Sequence, residues 1–391
     1  MNGAAFGGLG RRLRLGMIGG GRGAFIGAVH RVAARLDDRY ELVAGALSSD
    51  PERARASAGD LGIAPGRAYP DFGAMAAAEA ARPDGAEVVA IVTPNHLHAP
   101  AALACLANGL HVICDKPLTA SVAEADALVR AVAASGCVFA VTYNYTGYPM
   151  VRQARAMIAD GAIGAVRVIQ VEYPQDWLTE RLEAEGQKQA AWRTDPAQAG
   201  AGGCIGDIGT HAFHLAEFVT GLTTTHLLAD LDRFVPGRLL DDNAQLLLRF
   251  AGGARGMLWA SQVAPGNENA LRLRVYGDRG GIEWAQEHPN QLRVTRLGEP
   301  PAVIARGAAG SDAAAGAATR IPSGHPEGYL EAFAQLYREA ADAITAKLLG
   351  RPGPESAALL PGVAQGARGL RFVEAAVRSS QRDAIWVEIS A

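Results

Sequence analysis

The sequence predicts an α/β protein of two domains: a doubly wound parallel sheet over 13–145, then a second α/β domain over 146–391 on an antiparallel or mixed sheet. Three observations carry this. Near-continuous apolar runs alternate with helical stretches as far as residue 145. The first run breaks into four glycines within five residues and restarts as a helix, in "LRLGMIGGGRGAFIGAVH" (Leu13–His30). Beyond residue 150 the apolar segments become short and turn-punctuated. At 391 residues the chain can give each domain its own core.

In order, strands are expected at Leu13–Ile18, Tyr40–Leu47, Val88–Thr93, Leu110–Cys114 and Cys137–Tyr143, most of them near-continuous apolar runs as expected of strands covered on both faces. Helices fall between them at Ala24–Leu36, Pro51–Leu61, Asp71–Ala81, Pro100–Asn108 and Ser121–Ser135. A helix over Met150–Asp160 then stops at Gly161, and a long strand follows at Val166–Tyr173. A polar stretch leads through Trp192 to the glycines at 200–203 and a helix from Gly209 to Val219. Strands come next near Thr225–Asp232, Ala244–Phe250, Gly256–Gln262, Arg272–Tyr276 and Gly281–Trp284. The Ala/Gly-rich segment 307–318 reads as a flexible loop. Two helices, Glu327–Leu349 and Ala364–Ser379, and a short strand, Ile385–Ile389, end the chain. Residues 1–12, rich in glycine, read as a disordered arm.

Composition narrows the function. A net charge of −3 with no basic run argues against nucleic acid as the main partner. The four cysteines (Cys105, Cys114, Cys137, Cys204) lie far apart without CxxC spacing, as reduced residues of a cytoplasmic protein. No apolar run reaches the ~18 residues that span a bilayer. Arg11 and Arg12 stand before an apolar stretch, but that stretch is the first strand, and its removal would destroy the first βα unit. Clustered metal-ligand spacing is absent, so no metal is expected.

The chemistry-bearing motifs sit where strands end. Gly19-Gly20-Gly21-Arg22-Gly23-Ala24 satisfies G-x-G-x-x-A between a strand and a helix. Gly19 permits the tight turn, Gly21 lets backbone approach a pyrophosphate, and the helix N-terminus offers free N–H groups to it. The second strand ends in "ALSSDPER". Ser48 and Ser49 with Arg53 suit a 2′-phosphate and lean the choice between NAD and NADP toward NADP. Asp50 could instead meet a ribose diol, or merely cap the helix starting at Pro51. "VTPNHLH" (Val92–His98) should border the cofactor, although His96 and His98 taken singly read as solvated and Asn95 as a cap. In "HVICDKPLT", Lys116 follows a buried strand and precedes Pro117, so its ammonium could hold a substrate hydroxyl and stabilise developing alkoxide. In "GGCIGDIGTHAFHLAEF", Asp207 and His211 are four apart at a helix entrance. They are either a carboxylate-oriented general base or an N-cap and a packed histidine, with His214 a further candidate.

Together these pieces resemble the family of glucose–fructose oxidoreductase, inositol dehydrogenase and rhizopine-catabolism proteins (Gfo/Idh/MocA). "GGGRGA", "VTPNHLH", "CDKPLT", "WRTDPAQAGAGGCIGDIGTHAFHL" and "GARGLRFVEAAVRSS" occur in the expected order over nearly the whole chain. The resemblance implies a Rossmann domain followed by an α/β domain whose large open sheet forms a homodimer or homotetramer. It implies Lys116 as the substrate-orienting lysine and Asp207 with His211 as the catalytic pair. Gly19, Gly21 and Ala24 match the phosphate loop, and Thr93, Pro94, Asn95 and His98 the loop beside the cofactor. Arg22, Asp115 and Asn144 complete the expected cofactor set. Three departures stand out: Asp115 replaces the usual Glu, the glycine turn is longer than usual, and Ser48 replaces the usual acid after the second strand.

The implied reaction is hydride transfer between a secondary carbinol of a sugar, cyclitol or glycoside and nicotinamide. His211 takes the hydroxyl proton, Lys116 holds the oxygen, and Asp207 orients or relays. Tyr143, Tyr145, Trp192, Arg193 and His325, the last from "SGHPEGY", are expected to add substrate contacts. Two alternatives stay open: a redox-neutral, glycoside-cleaving enzyme of the same fold, and a non-catalytic dinucleotide-binding sensor.

Overall fold

The computed structural model describes residues 8–390, and the first seven residues of the expected arm lie outside them. Residues 8–12 are tied down by charge. Arg11 makes a two-point ion pair with Glu87, and Arg12 pairs with Asp38.

The chain forms two compact units. The first comprises residues up to Thr119, Ala123–Asn144 and Tyr329–Ala367. Its sheet holds β1 (Leu13–Gly19), β2 (Tyr40–Ala46), β3 (Val88–Val92), β4 (His111–Cys114) and β5 (Phe139–Val141), all parallel, in the order β2-β1-β3-β4-β5. The order reverses between β1 and β3, and such a switch point opens a crevice at the carboxyl ends of the strands. Helices α1 (Phe25–Leu36), α2 (Pro51–Asp60), α3 (Phe72–Ala80), α4 (His98–Ala107) and α5 (Val122–Ser135) alternate with the strands. All residues of β3 and β4 are buried, which is why these strands carry no polar alternation.

The expected boundary at residue 145 differs from this division at two places: Ala120–Val122 falls in the second unit and Tyr329–Ala367 in the first. The helix Tyr329–Leu348 belongs with the first unit, where Phe333, Tyr337 and Ile344 join the core beside β1 and α1. Tyr40 donates its phenol to the Tyr337 carbonyl at 2.7 Å, and Arg39 pairs with Asp342. An apolar helical face states that it must be buried but not which of two cores will bury it.

The second unit comprises Ala120–Val122, Tyr145–Gly328 and Arg368–Ala391. Nine strands make its sheet: β6 (Val166–Pro174), β7 (Thr224–Asp232), β8 (Asn243–Phe250), β9 (Arg255–Ser261), β10 (Arg272–Gly277), β11 (Gly280–Ala285), β12 (Gln291–Arg296), β13 (Ala302–Ala305) and β14 (Val387–Glu388). Their order is β13-β12-β11-β10-β6-β9-β8-β7-β14, antiparallel throughout except for β6 beside β9. The helices Pro149–Ala159 and Thr210–Thr220 pack on one face. On the other, Val168, Leu247 and Met257 remain exposed. β12 and β13 were not expected from the sequence. The segment read as a flexible loop contains a helix, Ala313–Ala318. Asp312 caps it through Ala314 N–H, Gln153 accepts from Asp312 N–H, and Ala315 and Ala318 are buried.

Among the described residues no helix is long and apolar enough to cross a membrane, no group of three ligating side chains could hold a metal, and all four cysteines are free thiols.

Candidate functional site

The glycine turn is shaped by steric demand. A Cβ on Gly19, whose φ is +80°, would lie 2.8 Å from the Val92 carbonyl, and one on Gly21 would lie 2.6 Å from the Leu47 carbonyl. Gly21 N–H donates to that carbonyl, so the turn is bound to the tip of β2. The close helix–turn contact falls at Gly27, not Ala24. A Cβ on Gly27 would come within 2.4 Å of Gly20 Cα. Ala24 instead precedes α1 as its N-cap, half-buried. Gly27 lies three residues beyond the position that the G-x-G-x-x-A spacing assigns to the close contact, in keeping with a turn longer than usual. Arg22 N–H donates to Ser57 Oγ, and its exposed guanidinium forms a two-point pair with Asp60 at 2.6 and 2.7 Å.

At the tip of β2, Asp50 is the cap of α2, accepting from Arg53 N–H at 2.7 Å behind Pro51. Ser48 Oγ accepts from Asp50 N–H, while Ser49, Asp50 and Arg53 are exposed. Asp50 therefore serves as the helix cap through Oδ1.

The loop after β3 carries Thr93 and Pro94, both half-buried, and Asn95, which is buried. His98 is buried rather than solvated. Its two ring nitrogens each lie 2.9 Å from a carbonyl, of Pro117 and of Thr93, and a neutral ring donates to one of them. Burial lowers its pKa while Asp115 opposes the shift. His98 thus joins the loop after β3 to the loop after β4. Asp115 accepts from Thr142 Oγ1 at 2.7 Å and from Lys116 N–H at 2.9 Å, fixing the backbone from which the half-buried Lys116 departs. The Lys116–Pro117 bond is cis. Tyr143 and Asn144 are buried after β5.

Three buried polar atoms on these loops have no protein partner: Thr93 Oγ1, His96 Nδ1 and Asn144 Nδ2. Buried groups of this kind are ordinarily satisfied. With glycines at 19 and 21 where any side chain would collide with backbone, they fit a bound dinucleotide along the strand ends.

In the second unit, Asp207 lies inside a π-helical turn, Ile205–Gly209, that runs straight into the helix bearing His211. Wide turns of this type are rare and concentrate at functional sites. Asp207 is not the cap. That role falls to buried Asp241, which accepts from Gly203 N–H at 2.6 Å, Ile205 N–H at 2.8 Å and Cys204 Sγ at 3.2 Å. Burial raises the Asp241 pKa, and the two backbone donors oppose it. Asp207 Oδ2 accepts from Arg193 Nε at 3.1 Å and Gln262 Nε2 at 2.9 Å. Arg193 stacks on half-buried Trp192, its guanidinium carbon 4.2 Å from the ring centre.

His211 is buried, and the Tyr145 ring stands edge-on to it at 4.8 Å. The Tyr145 phenol pairs with that of Tyr173, which donates to Asn269 Oδ1 at 2.7 Å. Burial pushes the Tyr145 pKa up to about 12, so this phenol stays protonated at neutral pH. His214 is a packed histidine: burial drives its pKa down to about 3, and it stacks against Phe218. His325, expected in a cleft, is exposed, on a loop organised by the buried Arg306–Glu327 pair. Gly27, Asp241, Gln262, Tyr173 and Asn269 were not anticipated. Only Gly27 left a trace in the sequence, as a glycine one residue into "IGAVH" after an overlong turn.

Two family descriptions match the chain: an oxidoreductase family with an NAD-binding Rossmann fold over residues 13–143, and the GFO/IDH/MocA C-terminal domain over residues 151–283. The chain is 37% identical over 382 residues to the uncharacterized oxidoreductase YfiI of Bacillus subtilis, covering 96% of each. An oxidoreductase structure from Sinorhizobium meliloti superposes with a TM-score of 0.88 at 55% identity, covering 96% of this chain and 99% of that one. An inositol dehydrogenase homolog from Azotobacter vinelandii, complexed with NADH and myo-inositol, superposes at 0.89 with 38% identity, covering 97% and 98%. The chain belongs to the GFO/IDH/MocA family of oxidoreductases and carries that family's NAD-binding Rossmann domain.

Proposed function

We propose that this oxidoreductase transfers a hydride between nicotinamide and a secondary alcohol of a sugar, cyclitol or glycoside. The observation that carries the reading is the carboxylate of Asp207, fixed by Arg193 and Gln262 in a π-turn that leads directly to buried His211. Such a pair suits an oriented general base. The dinucleotide supplies the hydride acceptor or donor when bound, held by the glycine turn and the loops bearing Thr93, Asn95 and Asn144. Lys116 holds the carbinol oxygen and stabilises negative charge as the hydroxyl proton leaves. His211 takes that proton, and Asp207 orients the imidazole and steadies it once charged. The A. vinelandii complex with NADH and myo-inositol supports a polyol substrate and the cofactor class. We further propose a homo-oligomer joined through the exposed sheet face, in a cytoplasm that keeps the four free thiols reduced.

The test is a panel of polyols, aldoses and glycosides with NAD and NADP, followed by nicotinamide absorbance. Oxidation of at least one cyclitol or sugar is expected. Cleavage of a glycoside without net reduced nicotinamide would replace this reading with the redox-neutral one. In Lys116→Ala, kcat should fall by about a hundredfold or more, while NADH still binds. Wild-type turnover there would remove Lys116 from the chemistry.

A further inference from the structure

The phosphate turn, the tip of β2 and α2 form one junction. Gly21 N–H donates to Leu47 O, Arg22 N–H donates to Ser57 Oγ at 3.0 Å, and Ser57 Oγ donates to Arg53 O at 2.7 Å. In a fold of this kind the adenosine ribose lies against the end of β2, where an acid receives a free diol or a cation receives a 2′-phosphate. Here the usual acid is absent. Ser48 takes its place, and Asp50 is committed to Arg53 N–H. By composition alone the junction would favour the phosphorylated ribose, because Arg22 and Arg53 both stand beside it.

The guanidinium of Arg22, however, is already engaged. Its Nε and one terminal nitrogen meet both oxygens of Asp60, the last residue of α2. This parallel two-bond geometry is the one a phosphate would need from the same fork. We infer that Asp60 sets the cofactor choice of this chain, holding Arg22 so that a dinucleotide with a free ribose diol binds in preference to its 2′-phosphorylated form. Among the described residues, the side-chain hydrogen bonds of Asp60 go to Arg22 alone, so it acts as a specificity residue through that side chain. The inference rests on the dinucleotide-binding reading above and adds to it the selection between the two nicotinamide cofactors.

The experiment is a titration of the full chain, without substrate, by NADH and NADPH, read as nicotinamide fluorescence. Wild type should bind NADH more tightly. Asp60→Asn keeps the side-chain size and releases Arg22, and should tighten NADPH by about tenfold, the scale of one charge-assisted hydrogen bond, while moving NADH far less. Adding Arg22→Ala to Asp60→Asn should abolish that gain. The inference is overturned if wild type prefers NADPH, if Asp60→Asn leaves the NADPH to NADH ratio unchanged, or if the gain survives loss of Arg22, which would assign it to Arg53. If wild type binds neither cofactor, the dinucleotide reading fails and the inference falls with it. A bound NADH with an unmoved ratio sinks the inference alone.

Discussion

Arg193 donates through Nε to Asp207 Oδ2 at 3.1 Å, and Gln262 reaches the same oxygen at 2.9 Å. Arg193 was expected to touch substrate. Its Nε is on Asp207, one terminal nitrogen is on Gln189, and its face lies over Trp192. Within the protein it therefore positions Asp207.

From this follows the first prediction. Arg193→Ala should reduce kcat by about tenfold or more, the loss expected when a charged hydrogen-bond donor is removed from an oriented group, with NADH affinity unchanged. Arg193→Lys should recover little, since an ammonium cannot stack flat on Trp192 while donating to two acceptors. Steady-state kinetics with an NADH titration checks both. Full turnover in Arg193→Ala would show that Asp207 needs no guanidinium.

The second prediction concerns Gly27. An alanine there would place its Cβ 2.4 Å from Gly20 Cα and 2.7 Å from the Gly20 carbonyl. Backbone must move, so Gly27→Ala should destabilise the first unit by about 1–3 kcal/mol and weaken NADH binding. Ala24→Gly should do much less, because removing a methyl from a half-buried residue forces no backbone clash. Thermal unfolding and NADH titration of the two variants decide which residue holds the helix against the turn.

These two sites also show what the sequence could and could not reveal. The parallel sheet was legible because strands buried on both faces must be apolar throughout, as in "VVAIV" of β3. The placement of Lys116 after a strand and of Asp207 and His211 at a helix entrance was legible because strand ends and helix entrances are marked by local patterns. The cap of that helix was not, because Asp241 lies 38 residues from Gly203 and nothing local joins them. Gly27 was blurred by an insertion. β12 alternates polar and apolar residues in "QLRVTR" and β13, at the sheet edge, is only four residues long and mostly exposed, so neither has the apolar density that marks a buried strand. The helix Tyr329–Leu348 was legible as a helix, yet its destination depends on complementarity with α1, which sequence periodicity does not encode.

A third prediction is a pH dependence of stability. His30 is enclosed in the first unit, its Nδ1 2.8 Å from the Tyr337 phenol oxygen and its ring 5.2 Å from that of Phe333. Burial drives its pKa down to about 4; Arg31 and His98 push the same way, and Asp115 opposes. The unfolded chain therefore binds a proton that the folded one refuses between about pH 6.5 and pH 4. The stabilisation from a neutral His30 is complete above pH ~6.5 and is lost on acidification through that window, roughly 3 kcal/mol in all. His111, at about 4, acts in the same direction. Urea unfolding at pH 7.5, 5.5 and 4.5 should show His30→Gln losing less stability than wild type as the pH falls. Parallel losses would mean that His30 does not carry the dependence.

The last prediction concerns the sheet face left open by the helices. Leu247 and Met257 are directly opposite each other on β8 and β9, and Gln170 on β6 faces Met257 in turn. Val168 lies two residues along β6 on the same face, exposed like the other two apolar side chains. Exposed apolar side chains gathered on one face of a long sheet, here interrupted only by Gln170, mark an interaction surface. In a homo-oligomer with two-fold symmetry this stripe would meet its own copy, so one substitution acts twice across the interface. Met257→Asp brings two carboxylates into such a contact and should shift the chain toward monomer in sedimentation velocity. The same charge on an exposed residue needs no buried partner within the subunit, so the thermal midpoint of the isolated monomer should change little. A wild-type chain that sediments as a monomer, or a Met257→Asp variant with an unaltered assembly, would exclude this face as the interface.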